Sequence, residues 1–154
     1  MSKAYIALGT NMGDRKVNIE GAVNALKLLP ETEVLKLSRL YETDPWGYEK
    51  QQCFLNAAVL VETALSPAAL LGGCLGIEAA MGRVRSIKNG PRVIDLDLLW
   101  YDDVIINTNE LTLPHPGLME RAFVLCPLTD IAEEEIFSIA LEGLDKSGVR
   151  EYEA

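Results

Sequence analysis

The sequence predicts an α+β fold built on one antiparallel sheet. Short apolar segments of strand length alternate with segments of helical spacing, in the order strand, helix, strand, strand, helix, strand. The chain has 154 residues, 49% of them hydrophobic, which is enough for one well-filled core. These observations favour a single domain spanning residues 1–154, with both helices on one face of the sheet.

The first part of the chain contains two predicted strands around a helix. Residues 5–8 form a short buried strand, and the segment GTNMGDR after it is rich in turn-forming residues. Helical spacing with a proline stop follows, through Val17, Ile19, Val23, Leu26, Leu29 and Pro30. Residues 34–41 have the length and content of a second strand, although their alternation is imperfect.

The second helix lies between two more strands. The segment FLNAAVLVE predicts a buried strand, and Ser66 with Pro67 has the cap and first-turn pattern of a helix that runs to about Met81. Residues 93–101 predict the fourth strand. The βαββαβ order is that of the split βαβ, or ferredoxin-like, arrangement.

A further layer follows this core. Residues 104–132 predict short strands, a Pro-His-Pro loop and a helix over about 117–130 that breaks near Pro127. The tail from Glu133 is acidic and weakly patterned, so no element is predicted there.

Charge and cysteine content exclude several classes of protein. The net charge of −9 and the pI of about 4.6 argue against a nucleic-acid binder with a broad basic face. The opening segment has no apolar run long enough for a signal sequence or a membrane span. The three cysteines are odd in number and show no CxxC spacing, which favours a cytoplasmic protein with reduced, packed thiols.

Two carboxylates lie within the fourth strand. Strand alternation places four side chains on one face, those of Val93, Asp95, Asp97 and Leu99, and four on the other, those of Ile94, Leu96, Leu98 and Trp100. The two carboxylates are then about 7 Å apart, where they repel each other unless a cation lies near. Magnesium held with substrate phosphates is one explanation, and an ion pair with Arg92 or Arg121 is the other.

The loop before this strand concentrates positive charge. Arg83, Arg85, Lys88 and Arg92 lie within ten residues of a chain that is acidic as a whole. Guanidinium groups suit phosphate oxygens, whereas a solvated basic loop is the simpler explanation. Beside the carboxylate pair, the loop favours a metal-bound polyphosphate, and no GxxxxGK[ST] motif is present.

Histidine and aromatic positions complete the candidate set. The single histidine, His115, lies between two prolines, with Arg121 and Phe123 shortly after it. It suits either phosphate contact or ordinary packing. Phe54 and Asn56 share one face of the third strand, where they offer a flat heterocycle stacking and an amide edge. The alternative is that Phe54 is core and Asn56 ends a strand ladder.

These residues belong to five ordered blocks. The strongest is GPRVIDLDLLWY, and the others are AYIALGTNMGD, FLNAAV, IEAAMGRVR and LPHPGLMERAFVLCPL. Through them the chain, from Ala4 to about Ala132, resembles the 6-hydroxymethyl-7,8-dihydropterin pyrophosphokinases of folate biosynthesis. The resemblance implies a ferredoxin-like core and transfer of pyrophosphate from ATP to the hydroxymethyl oxygen of the pterin, with release of AMP. It also implies two magnesium ions.

The resemblance assigns roles on the ATP side. It implies that Asp95 and Asp97 hold both magnesium ions and, with Arg83 and Arg92, carry the catalysis. The residues implied to contact ATP are Glu78, Arg83, Arg85, Arg92, Leu98, His115 and Arg121. Arg83 is further expected on a loop that closes during turnover.

On the pterin side, the resemblance implies that Phe54 and Phe123 sandwich the ring. Asn56 is expected to read its amide edge. Thr43, Asp44 and Trp46 are expected to line the pocket through backbone contacts. Thr10, Asn11 and Asp14 are expected to help shape the same side.

The chain departs from the family pattern at several positions. Asp44 stands in place of a proline, Trp46 in place of a leucine and Asn89 in place of a tryptophan, while Pro116 follows His115 where some members carry an aromatic. The loop between Arg85 and Gly90 is one residue short. These differences affect the pterin pocket and loop closure.

Three rival functions remain open from the residues alone. A ferredoxin-like sensor needs a ligand pocket but no metal pair. An RNA-recognition module shares the strand order, although the acidity and the absence of an aromatic RNP-like stretch disfavour it. A related nucleotide-transfer enzyme with another acceptor alcohol differs only in substrate. The partners expected here are ATP and the pterin, without nucleic acid or membrane, and the protein is expected to be a monomer.

Overall fold

The computed structural model describes residues 1–45, 51–82 and 92–153, and it has a mixed α/β architecture around an antiparallel sheet. The strands are β1 (Ser2–Thr10), β2 (Thr32–Leu37), β3 (Tyr41–Thr43), β4 (Phe54–Thr63), β5 (Asp95–Tyr101), β6 (Ile106–Asn107), β7 (Thr112–Leu113) and β8 (Val149–Glu151). The helices are α1 (Arg15–Lys27), α2 (Pro67–Ala80), α3 (Ala122–Ile131) and α4 (Glu135–Glu142), with a 3-10 turn at Leu118–Glu120.

The large sheet has the order β5-β1-β4-β3-β8, and β2 also pairs with β4. Strands β6 and β7 form a separate hairpin. The predicted strand over residues 34–41 is in fact two strands, β2 and β3. The chain turns between them at Ser38, whose hydroxyl accepts a 2.8 Å hydrogen bond from the N–H of Ala58. This contact with β4 is non-local, so the local alternation could not reveal it.

Helices α1 and α2 cover one face of the sheet. Helix α2 begins where Ser66 and Pro67 predict, and Ser66 accepts from the N–H of Ala69. Helix α1 begins after Asp14, which accepts from the N–H of Val17. Their apolar side chains pack with alternate side chains of β1, β4 and β5 into a first core layer. This arrangement matches the predicted helix-covered face.

Helices α3 and α4 cover the opposite face. A second core layer joins them to the sheet, with Leu125, Leu128 and Phe137 fully buried. The prediction of helices on one face therefore describes only α1 and α2. The predicted break near Pro127 is wrong, because Pro127 lies inside α3 and the interruption comes at Arg121. In the tail, where no element was predicted, α4 and β8 form.

A bulge in β5 changes which side chains share a face. Tyr5 pairs with Trp100 but Ile6 pairs with Leu98, so Leu99 is an extra residue in β5. The prediction that Trp100 lies on the face of Leu98 is wrong for this reason. Trp100 instead packs in the second layer, with its ring centroid 5.1 Å from that of Phe137.

Candidate active site

The candidate site lies on the α3 side of the sheet, where four strands run next to each other. Gly9 of β1 pairs with Asp95 on one side and Asn56 on the other. In β3, Tyr41 pairs with Asn56, and Thr43 pairs with Phe54. Paired residues point to the same face of the sheet. This register therefore places the carboxylates of β5 and the side chains of Phe54 and Asn56 on one face, separated only by β1 at Gly9.

The two predicted carboxylates share this face, in agreement with the alternation. Asp95 and Asp97 pair with Gly9 and Ala7, while the intervening Leu96 is buried in the first core layer. Arg92 approaches Asp95, with Nη1 3.4 Å from Oδ2. The Asp95 side chain is 19% exposed, so this ion pair is partly shielded from water.

Asn11 fixes the backbone of Arg92. The side-chain oxygen of Asn11 accepts a 2.7 Å hydrogen bond from the N–H of Arg92, and the N–H of Asn11 donates to the carbonyl of Arg92 at 3.0 Å. The amide Nδ2 of Asn11 also donates to Oε1 of Gln51 at 2.7 Å. Asn11 is only 1% exposed, so it connects the β1 loop, Arg92 and the entry to β4 from inside the protein.

Glu78 is a buried carboxylate of α2. It is 5% exposed, and its Oε2 accepts a 2.8 Å hydrogen bond from the N–H of Leu96. A buried carboxylate needs such donors. The bond joins the end of α2 to β5 between the two aspartates.

A cleft of about 270 Å³ runs beside β5, which is a terminal strand of the large sheet. It is lined by three of the predicted ATP-contacting residues, Glu78, Leu98 and His115, and by the predicted magnesium ligand Asp97. Residues 109–112, in and before β7, form another wall. The sequence pattern did not predict that residues 109–112 belong to the site, because they line the cleft only when the β6–β7 hairpin packs beside β5.

His115 is held against β5. Its N–H donates to the carbonyl of Leu99 at 2.9 Å, and its Nδ1 accepts a 3.2 Å hydrogen bond from the N–H of Gly117. In the neutral ring the proton therefore lies on Nε2. Burial, and then the charge of Arg121, lower the pKa of His115 from its ordinary value of 6.5.

Arg121 and Phe123 stand at the start of α3. Arg121 is the N-cap residue and Phe123 lies in the first turn, 40% exposed. The Arg121 guanidinium crosses directly over Gly117, where an added Cβ would lie 2.5 Å from Nε and 2.7 Å from Cζ. Gly117 therefore permits the position that Arg121 takes near His115.

Asn56 is fixed by β3. Its Nδ2 donates to Oγ1 of Thr43 at 3.0 Å and to the carbonyl of Tyr41 at 3.3 Å, and the residue is 6% exposed. Its Oδ1 faces Gly9, 3.5 Å from the position of an added Cβ, with Phe54 Cδ1 at 4.0 Å. The glycine of β1 thus forms a low floor beside an oriented amide oxygen and an aromatic ring.

Known proteins with the same sequence features are pyrophosphokinases. The profile of the 7,8-dihydro-6-hydroxymethylpterin-pyrophosphokinase family matches residues 5–133. The chain belongs to this family. The 2-amino-4-hydroxy-6-hydroxymethyldihydropteridine pyrophosphokinase of Methylorubrum extorquens is 46% identical over 99% of this chain and 100% of its own length. The Bacillus subtilis protein of the same name is 44% identical over 96% of this chain and 88% of its own.

Solved structures agree with the pyrophosphokinase-family assignment at the level of the fold. The wild-type Plasmodium falciparum HPPK-DHPS structure superposes with a TM-score of 0.66 at 16% identity, over 92% of this chain. This chain spans 40% of that longer one. The Schizosaccharomyces pombe folic acid synthesis protein fol1 is 40% identical over 97% of this chain, which spans 21% of it.

Several predicted site residues of this pyrophosphokinase-family chain are not among the described ones. Trp46, Arg83 and Arg85 lie outside the described ranges, as do Lys88 and Asn89. Of the first-loop residues, Asn11 joins the site through Arg92. Asp14 caps α1, and Thr10 is buried as the acceptor of a 3.1 Å hydrogen bond from Asn18.

Proposed function

We propose that this chain transfers pyrophosphate from ATP to the hydroxymethyl group of 6-hydroxymethyl-7,8-dihydropterin, releasing AMP, in tetrahydrofolate biosynthesis. Its full-length relatives at 44–46% identity bear the name of this enzyme. The observation that carries the proposal is the register of the sheet. It sets Asp95 and Asn56 on either side of Gly9, so a phosphate donor and a flat acceptor can lie next to each other.

The nucleotide side is assigned to the cleft beside β5. Arg92 and Arg121 would neutralise the charge of the phosphate oxygens, and the Nε2–H of His115 would donate a hydrogen bond to one of them. Glu78 and Leu98 line the same cleft. Arg83 and Arg85 are proposed to join them from the loop that precedes Arg92, as the family resemblance implies.

Asp95 and Asp97 fit a magnesium site. Among the residues that the structure describes, no group of three or more histidine, cysteine or acidic side chains could hold a metal by itself. A pair of carboxylates beside a phosphate site is nevertheless the donor set that magnesium uses, since it takes its other ligands from phosphates and water. Two ions are proposed; when bound, magnesium offsets phosphate charge and orients the reacting groups.

The pterin side is assigned to the Gly9 floor. Phe54 and Phe123 are proposed to stack on the two faces of the ring. The Oδ1 of Asn56 would accept a hydrogen bond from the amide edge of the ring, because its Nδ2 is already bound to β3. Thr43, Asp44 and Trp46 would complete the wall through their backbones.

The reaction needs positioning more than covalent help from the protein. The hydroxymethyl oxygen forms a bond to the β-phosphorus, and the bond from that phosphorus to the oxygen bridging to the α-phosphorus breaks, so AMP leaves. Arg92, anchored by Asn11, would hold phosphate oxygens in line with the acceptor. No side chain is assigned as general base.

We further interpret β1, α1, the β2–β3 pair, β4, α2 and β5 as a ferredoxin-like core whose second strand is divided. The whole chain is proposed to be one domain acting as a monomer. In the described residues no helix has the length and apolar character that crossing a membrane requires. The cytoplasm is the proposed location, consistent with three unpaired cysteines.

The test is a discontinuous assay. The purified protein is mixed with ATP, magnesium and 6-hydroxymethyl-7,8-dihydropterin, and the nucleotides and pterins are separated. We expect AMP to form in step with a pyrophosphorylated pterin, and a chelator to stop both. Formation of ADP would instead indicate a simple kinase. Bound ATP without any nucleotide conversion would indicate a ligand sensor.

A further inference from the structure

The C-terminal strand β8 lies beside the pterin side of the candidate site. It pairs antiparallel with β3, so Arg150 lies opposite Glu42 and Val149 opposite Thr43. The family profile ends at residue 133, and β8 is therefore outside the matched segment. Strand β3 lies between β8 and β4, the strand that carries Phe54 and Asn56.

Arg150 binds three groups at once. Its Nε and Nη2 donate to Oε1 of Glu42 at 3.2 and 2.9 Å, and its Nη1 donates to Oδ1 of Asp44 at 3.1 Å. Its Nη2 also lies 3.5 Å from Sγ of Cys53. The guanidinium thus connects the strand β3, the residue after it and the residue that precedes Phe54.

A second guanidinium completes this arrangement. Arg15 of α1 donates from Nη1 to Oε2 of Glu42 at 2.7 Å and to the carbonyl of Cys53 at 2.8 Å. Each oxygen of Glu42 therefore has its own arginine. The hydrogen bond from Arg15 lowers the pKa of Glu42, burial opposes it, and Arg150 lowers it further.

The two faces of β3 contact different groups. Glu42 points to the arginines, whereas its neighbours Tyr41 and Thr43 hold the amide of Asn56 on the other face. A shift of β3 would consequently move the acceptor that is proposed to read the pterin. In this chain Asp44 stands at a pocket position, and Arg150 offsets its charge.

We propose that Arg150 is a positioning residue for the pterin, an inference that rests on the proposed function. From β8 it holds Glu42 of β3, and it also contacts Asp44 and Cys53, the residue before Phe54. Its side chain is 47% exposed, so its ion pairs add little to the free energy of unfolding. Its effect falls on where the acceptor lies, and hence on the KM for the pterin.

The experiment compares Arg150→Ala with Glu151→Gln. Glu151 is the next residue of β8 and has a similarly exposed side chain (43%), but its ion partner is Arg39 rather than Glu42 or Asp44. We expect Arg150→Ala to raise the KM for the pterin by about three- to ten-fold. The KM for ATP and the melting temperature should stay near those of the unaltered protein. Arg150→Lys keeps the positive charge but lacks the planar guanidinium group. Its KM for the pterin should therefore lie between those of Arg150→Ala and the unaltered protein.

Amide hydrogen exchange gives a readout that does not need activity. In Arg150→Ala, exchange should accelerate at residues 41–44 and 51–56, and in Glu151→Gln it should not. An unchanged KM for the pterin, or a joint rise of both KM values with a lower melting temperature, would overturn the proposal. If the unaltered protein forms no AMP, the proposed function fails instead. The exchange comparison then supports or overturns the positioning of β3 by itself.

Discussion

Asn11 and Arg92 are joined by two hydrogen bonds, one from backbone to side chain and one from backbone to backbone. Oδ1 of Asn11 accepts from the N–H of Arg92 at 2.7 Å, and the carbonyl of Arg92 accepts from the N–H of Asn11 at 3.0 Å. Arg92, which is proposed to bind phosphate, therefore takes its position from a buried amide in a different loop. Through Asn11, Arg92 is also connected to Gln51. Gln51 lies two residues before Cys53, the last residue before β4.

Replacement of Asn11 by alanine should damage both stability and activity. The change leaves the N–H of Arg92 without its acceptor in a region where Asn11 is 1% exposed. We expect the free energy of unfolding, measured with urea, to fall by about 1–3 kcal/mol. The rate of AMP formation at saturating substrate should fall more than the loss of folded protein explains, because Arg92 loses its anchor.

Asn18→Ala is the matched control for this replacement. Asn18 lies close to the same loop and its Nδ2 donates to Oγ1 of Thr10 and the carbonyl of Met12, but it has no bond to Arg92. It should lose some stability while its turnover per folded molecule is preserved. Equal losses of turnover in both variants would contradict the anchoring role of Asn11.

The Asp97→Asn replacement tests the carboxylate pair. It keeps the size of the side chain but removes a charge that the proposed magnesium site requires. We expect magnesium-dependent AMP formation to fall by about 10²–10³-fold, as when one stabilising group is lost from a transition state. Asp103→Asn, just beyond β5 and outside the cleft, should retain activity. Turnover that survives in Asp97→Asn would remove Asp97 from the metal site.

The single histidine allows a direct titration. Burial and Arg121 depress the pKa of His115 below 6.5, so the unfolded chain binds more protons than the folded one between these two values. The stability contribution is therefore complete above about pH 6.5 and is lost as the pH falls toward the folded pKa. His115→Gln should flatten this part of the stability profile.

The same histidine should respond to nucleotide. In NMR spectra of the ring protons, we expect one titrating set with a midpoint below 6.5. A phosphate near Nε2 favours the charged ring, so ATP with magnesium should move the midpoint upward. A midpoint that ATP leaves unchanged would place His115 away from the phosphates.

The sequence predicts the parts of this molecule that depend on local patterns. The cap at Ser66 and the alternation from Ile94 to Leu98 are of this kind, and the structure agrees with them. The bulge at Leu99 depends on the register with β1, and no pattern within β5 reveals it. Helix α4 is not predicted, although Ile136, Phe137, Ile139 and Leu141 give this segment an apolar helical pattern that could have revealed it.

In the candidate site, too, some features follow from local sequence patterns and others depend on how distant segments pack. The shared face of Asp95 and Asp97 follows from strand alternation alone. The bond between Glu78 and the N–H of Leu96, and the bridge from Arg150 to Asp44, join residues that are far apart in the chain. Such pairs depend on how the elements pack, which a single sequence does not state.

Gly117 provides a final test, of the position of Arg121. An added Cβ at Gly117 would lie 2.5 Å from Nε of Arg121, so the guanidinium would have to move. Arg121 is exposed and flexible, and Gly117 has an ordinary φ of −97°, so Gly117→Ala should scarcely change the melting temperature. The KM for ATP should nevertheless rise by about three- to ten-fold, the loss expected when a charged hydrogen bond weakens.

Gly72→Ala separates this effect from the general consequence of replacing a glycine. Gly72 lies inside α2 with open space where a Cβ would be, so alanine should stabilise the protein by about 0.5–1 kcal/mol. The KM for ATP should not change in this variant. Steady-state kinetics and thermal unfolding of the two variants decide the matter, because a rise in KM confined to Gly117→Ala comes from the His115–Arg121 side of the cleft and not from replacing a glycine as such.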